Sequence, residues 1–172
     1  MWHVILTSKG GAYMKQKELS ILIRVILALG AVCTLFLAAV FVPELGKDIA
    51  EEFPEVAQAF WPCLIFFWVT AAVVLAFLAV VWLIARDIGR DKSFTLINAK
   101  RLGICSLLAL TDTVLYIIAG IVLMCLNMLQ ILFFMLGVLI CAVGAAVTVC
   151  CAALSHLTRK AADMQSENDL TV

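Results

Sequence analysis

The sequence predicts an all-α integral membrane protein, a four-helix bundle with both termini on the cytoplasmic side. Three observations lead there. Of 172 residues, 65% are apolar and 14% charged, whereas a soluble domain is about half apolar and about a quarter charged. The apolar residues collect in four runs, 21–42, 61–85, 102–126 and 131–154, each long enough to cross a bilayer as a helix, which takes ~20 residues. None of the runs alternates apolar with polar residues as the ~10-residue strands of a membrane barrel do. Backbone groups in lipid must then be satisfied within a helix.

Residues 1–20 form a basic cytoplasmic N-terminus. Translation is expected to begin at Met14, because "MKQKELSILIRVIL" places two lysines directly before the first run. That run is too long for the apolar core of a secretory signal. An acidic segment follows it in place of a small-residue cleavage site, so it is read as retained. In the outer loop, 43–60, helix formers and spaced apolar residues predict a short surface helix that Pro54 interrupts or restarts. Trp61 and Pro62 read as an interfacial anchor and a first-turn proline opening the second span. The third and fourth spans are separated by four residues, 127–130, and must form a tight antiparallel hairpin. The membrane domain is set at 21–156, and 157–172 is a tail that continues the fourth helix for a turn or two.

Orientation follows the bases near the span ends. Lys9, Lys15, Lys17 and Arg24 precede or open the first span; Arg86, Arg90, Lys92, Lys100 and Arg101 fill the link between spans two and three; Arg159 and Lys160 follow span four. The first outer loop has Lys47 against Glu44, Asp48, Glu51, Glu52 and Glu55. The expected location is therefore a bacterial plasma membrane, N-in and C-in.

Asp112 is the residue most at odds with its surroundings. It lies ten residues into the third span, about 15 Å from the inner edge, where an ionised carboxylate costs roughly 2.5–3.5 kcal/mol on insertion scales. It should face other helices or water. Its stripe, Cys105, Ala109, Tyr116 and Ala119, is small and polar, whereas Leu107, Leu110, Val114 and Ile118 lie off it. The fourth span has a matching seam of Gly137, Cys141, Gly144, Thr148 and Cys151, the kind that lets membrane helices approach closely. Thr148, Thr111, Thr113 and Thr34 are the expected hydrogen-bond partners, and Asp112 is expected to fasten spans three and four. A proton, cation or ligand site is the rival reading.

Seven cysteines fall within or at the ends of the spans without a C-x-x-C pair, and His3 and His156 lie at opposite ends of the chain. They read as small packing residues rather than metal ligands. The phosphate loop, the H-E-x-x-H and G-x-S-x-G motifs and the dinucleotide fingerprint are all missing. No enzyme and no cofactor is expected.

The link segment "SFTLINAKRLG" predicts a short helix on the inner membrane surface, capped by Ser93 or Thr95. The tail ends "ENDLTV". The motifs Phe94-x-x-x-Asn98-x-x-Arg101-Leu102 and Glu167-Asn168-Asp169-Leu170-Thr171-Val172 resemble those of a small bacterial four-span membrane family of unknown function, the domain-of-unknown-function 2975 family. The resemblance runs over nearly all the chain from Met14; Ser93 stands where the family usually has proline. Its genes often neighbour one for a Cro/C1-like helix-turn-helix regulator. The resemblance therefore implies a membrane partner or sensor for such a regulator, docked at Phe94, Asn98, Arg101 and the residues from Glu167 to Val172. Two alternatives stand beside it. One is a small transporter or peptide-binding immunity protein using Asp112; the other is an accessory subunit of a membrane complex.

Overall fold

The computed structural model describes residues 16–90, 95–126 and 131–169. They form helix α1 (Gln16–Phe36), a π-helical turn (Leu37–Phe41), α2 (Val42–Glu52), a 3-10 turn (Pro54–Ala59), α3 (Phe60–Ile88), α4 (Leu96–Cys125) and α5 (Ile131–Asp169). Four helical stretches are long and apolar enough to span a membrane, and no strand occurs among the described residues. The fold is the all-α, four-helix arrangement of a multi-pass membrane protein.

Three expectations change in detail. The first span does not end at a loop: its helix runs on through the π turn into α2. The cause is Pro43. Val42 N–H bonds the carbonyl of Leu37, five residues back, and in that register the next donor to Ala38 would be residue 43, which has no N–H. The Trp68 indole of α3 supplies the missing bond to the Ala38 carbonyl at 2.9 Å. Second, the link segment is not a separate surface helix. Thr95 caps α4, its hydroxyl accepting from Asn98 N–H at 3.3 Å, and nothing between Leu96 and Cys125 breaks the helix. Third, α5 outlasts the expected turn or two and reaches Asp169. Ala161, Ala162, Met164, Gln165 and Glu167 all favour helix, and no glycine or proline stops it.

The helices pack in chain order. Among the described residues α1 lies on α3, α3 on α4 and α4 on α5, with α4–α5 the most extensive pairing. The interior is small and polar: Ala71, Ala85, Ala99, Cys105, Ser20, Thr70, Asn98 and Thr113 are buried, together with Leu64. Large apolar side chains such as Leu29, Ile121, Leu139 and Val149 face outward along the whole length of the spans. This inversion of a soluble core is what lipid solvent requires. The cysteines divide accordingly. Cys105 is buried and Cys141 and Cys151 are partly so, but Cys33, Cys63, Cys125 and Cys150 are exposed and do not pack in interfaces.

Hydroxyl-to-carbonyl bonds tie α1 to α3 and α4 to α5. Ser20 Oγ donates to the Ala85 carbonyl at 2.6 Å, Ser155 Oγ to Ala99 at 2.7 Å and Ser106 Oγ to Thr148 at 3.0 Å. Two glycines permit these approaches. A Cβ on Gly89 would stand 2.7 Å from Ser20 Oγ, and one on Gly144 would fall on Thr113 Oγ1. Gly144→Val should therefore wedge α4 from α5 and lower stability by about 1–3 kcal/mol, read from unfolding in mixed micelles. Adding Thr113→Ala should restore part of the loss, because it removes the oxygen that the new side chain meets.

Candidate functional site

Asp112 lies on the inward face of α4. Cys105, Ala109, Tyr116 and Ala119 on its stripe are buried or half-buried, while Leu107, Leu110, Val114 and Ile118 are exposed. Its immediate surroundings come from three helices. Tyr116 packs edge-on against Phe66 of α3, with centroids 5.3 Å apart and planes at 84°. The Tyr116 hydroxyl engages Thr70 of α3, and Asp112 and Cys141 of α5 lie within its electrostatic reach. The centre is thus a half-buried group of carboxyl, phenol, hydroxyl and thiol at mid-span.

The expected threonine partners do not serve Asp112. Thr34 donates to Gly30, Thr111 to Leu107, Thr113 to Ala109 and Thr148 to Gly144, each to the carbonyl four residues back and each at 2.8–2.9 Å. In lipid a threonine has its own helix as the nearest acceptor, and it spends its one proton there. An ionised carboxylate can only accept, so those hydroxyls have nothing left to give it. Asp112 Oδ1 is buried without a hydrogen-bond partner, alone in this among buried side-chain polar atoms of the described residues. The α4–α5 fastening that Asp112 was expected to make is made by Ser106 and Ser155 instead. Thr148 still takes part through its backbone carbonyl, the acceptor of the Ser106 bond.

The second candidate region lies where α3 ends and α4 begins. Asn98 and Arg101, one helical turn apart, share a face. Arg101 Nη1 donates to Asn98 Oδ1 at 3.0 Å and pairs with Asp87 Oδ2 at 2.5 Å. Asn98 is 1% exposed. The Arg101 and Asp87 side chains keep 21% and 18% exposure. These two residues of the link motif therefore close the α3–α4 connection from within and present little surface. The sequence marks Arg101 as a base of the link and as part of the motif expected to dock a partner; its mate Asp87, fourteen residues back, carries no signal of its own.

Glu167 is exposed near the end of α5, and Asn168 and Asp169 complete that helix. Phe94, Leu170, Thr171 and Val172 lie outside the described residues. The extension past the span also leaves Leu157 and Met164 exposed, 62% and 56%. They sit seven residues apart on one side of the helix.

The clamp makes a direct prediction. Asp87→Asn and Arg101→Gln should each destabilise the protein, and a double-mutant cycle on detergent unfolding should give roughly 1–2 kcal/mol of coupling. That lies between the values of a surface ion pair and a buried one.

A family model described as a protein of unknown function, DUF2975, matches residues 44–172. The match begins at α2, so it takes in the π-turn proline's neighbours, the Asp87–Asn98–Arg101 clamp, Asp112 and the whole of α5, and leaves out α1. No curated protein and no solved structure matches the chain. Four membrane-spanning helices and a match over three quarters of the sequence place this chain in the DUF2975 family.

Proposed function

We propose that this protein is a non-enzymatic membrane partner or sensor for a cytoplasmic helix-turn-helix regulator, with α5 as the element that reports on the bundle. The observation that carries the reading is the continuity of α5. One helix of 39 residues runs from the α4–α5 hairpin to Asp169, about 58 Å at 1.5 Å per residue. Its membrane half holds Gly144 against Thr113 and Thr148 against Ser106. Its last four turns carry Leu157, Met164 and Glu167 beyond the apolar run. A shift or rotation at the seam must move those residues with it, because no break lies between.

The bases at one end of the bundle support a cytoplasmic position for that end in a bacterial plasma membrane. Arg86, Arg90, Lys100, Arg101, Arg159 and Lys160 all lie there, at the end opposite α2 with Glu44, Asp48, Glu51 and Glu52. The regulator as partner comes from the family resemblance. Since Asn98 and Arg101 are committed inside the α3–α4 junction, docking falls to the α5 extension and the residues after it.

Affinity purification from the native host in mild detergent tests this, comparing the full chain with one ending at Met164. A small helix-turn-helix protein should be recovered with the full chain and lost with the shortened one. Its absence from both, with the membrane domain intact, would sink the proposal. Recovery of another membrane protein by both would support an accessory-subunit role.

A second reading rests on Asp112, whose buried Oδ1 lacks a donor. In that reading the mid-span group binds or passes a cationic or hydrogen-bond-donating solute or peptide. Asp112→Asn keeps the shape and removes the charge. It should then abolish solute or peptide protection while the protein still folds, as judged by gel filtration. Wild-type behaviour from Asp112→Asn, with Asp112→Leu alone unstable, would assign the residue to packing.

A further inference from the structure

At the end of α3 a second polar arrangement is left without a role in the proposed function. Ser20 of α1 is fully buried, and it uses every hydrogen-bonding position that a hydroxyl has. It donates to the Ala85 carbonyl at 2.6 Å and accepts from Arg24 Nε at 3.3 Å and Arg24 Nη2 at 2.8 Å. Gly89 makes the room: a Cβ there would stand 2.7 Å from Ser20 Oγ and 3.3 Å from Arg24 Nη2. Arg24 is thereby held at the α1–α3 junction, its side chain reaching back toward the start of α1.

Among the described residues no carboxylate pairs with the charge it carries there. Asp87, the carboxylate in the last turn of α3, is taken by Arg101, and neither it nor Glu18 forms an ion pair with Arg24. Arg24 lies one turn inside the apolar run, among Ile21, Leu22 and Val25, which are 58%, 50% and 53% exposed on the outer surface of the bundle. Two of the five guanidinium N–H groups go to Ser20, and three remain. The surrounding charge is also positive: Lys17 in the first turn of α1, and Arg86 and Arg90 at the end of α3, are exposed. A fixed guanidinium near the end of the span, with spare donors and an excess of bases around it, suits one kind of ligand. A phosphate oxygen pair matches the guanidinium fork. A headgroup with net negative charge compensates the surplus, which a zwitterionic headgroup does not.

We propose that Arg24, positioned by Ser20 over Gly89, seats the phosphate of an anionic phospholipid in the groove between α1 and α3. The lipid acts as a counterion to Arg24 and as a staple for α1, which packs on α3.

The test uses the full chain in nanodiscs of equimolar phosphatidylglycerol and phosphatidylcholine, with the lipid retained after extraction counted by native mass spectrometry. Wild type should retain phosphatidylglycerol preferentially, and Arg24→Gln should lower that retention about five-fold, the share of one base at a charged membrane surface. Arg86→Gln, which removes an exposed base at the same level, should leave it unchanged. Arg24→Lys keeps the charge without the fork and should fall between. Should Arg24→Gln fail to fold, Ser20→Ala, which frees the guanidinium, is read in its place and should also lose the preference. Equal losses from Arg24→Gln and Arg86→Gln would reduce the effect to diffuse surface charge and overturn the site. Equal retention of both lipids by wild type would overturn it too. If millimolar inorganic phosphate in lipid-free micelles raised the melting temperature of wild type but not Arg24→Gln as much as phosphatidylglycerol does, the site would take a free anion, and the lipid assignment would fall.

Discussion

In an apolar solvent a leucine gains nothing by leaving lipid for another leucine, so membrane helices must find other reasons to associate. Here one reason recurs at the α1–α3 and α4–α5 junctions: a hydroxyl or indole donor on one helix reaches a backbone carbonyl on its neighbour, while α3 and α4 are joined by the Arg101–Asp87 pair. Ser20 does this between α1 and α3, Trp68 between α3 and the π turn, and Ser106 and Ser155 between α5 and α4. A helical carbonyl keeps a second lone pair after its helix bond is made, so the acceptor costs the helix nothing. The donor must come close, and that requirement puts glycine or alanine beside each such bond. The small, polar interior follows from it.

Against that background Asp112 is the exception. Elsewhere in the described interior each buried side-chain polar atom has a partner, and at Asp112 Oδ1 none is present. Natural proteins break local rules mostly where the break is used. This is why the mid-span group keeps a second functional reading even though α5 carries the first. The two are compatible in geometry, since Cys141 of α5 lies near Tyr116, one turn from Asp112. A solute at this centre would press on the same helix that extends into the tail.

The sequence showed the spans because length and hydropathy are additive along a chain. The inward stripe through Cys105, Asp112 and Tyr116 was legible for a related reason, since periodicity alone places it. Partners were not legible. Four threonines near Asp112 in depth looked like donors, but each bonds its own helix, a choice that depends on rotamers and on the absence of water. Arg101 and Asp87 meet across a link that has no periodicity to read. The outer loop was expected to open at residue 43, but the helix runs on through a π turn at Pro43, where an indole from α3 repairs the ladder. The tail helix runs beyond the expected turn or two because its composition favours helix and no glycine or proline stops it.

Packing in chain order has a consequence for how the molecule is made. Each helix finds its neighbour in the segment just synthesised, α3 on α1, α4 on α3, α5 on α4. Among the described residues each spanning helix pairs with its neighbour in chain order, and pairing of that kind keeps contact order low. Insertion can proceed hairpin by hairpin, with each newly released helix docking on the one before it. The last hairpin, with the most extensive pairing, closes the process without disturbing what came before.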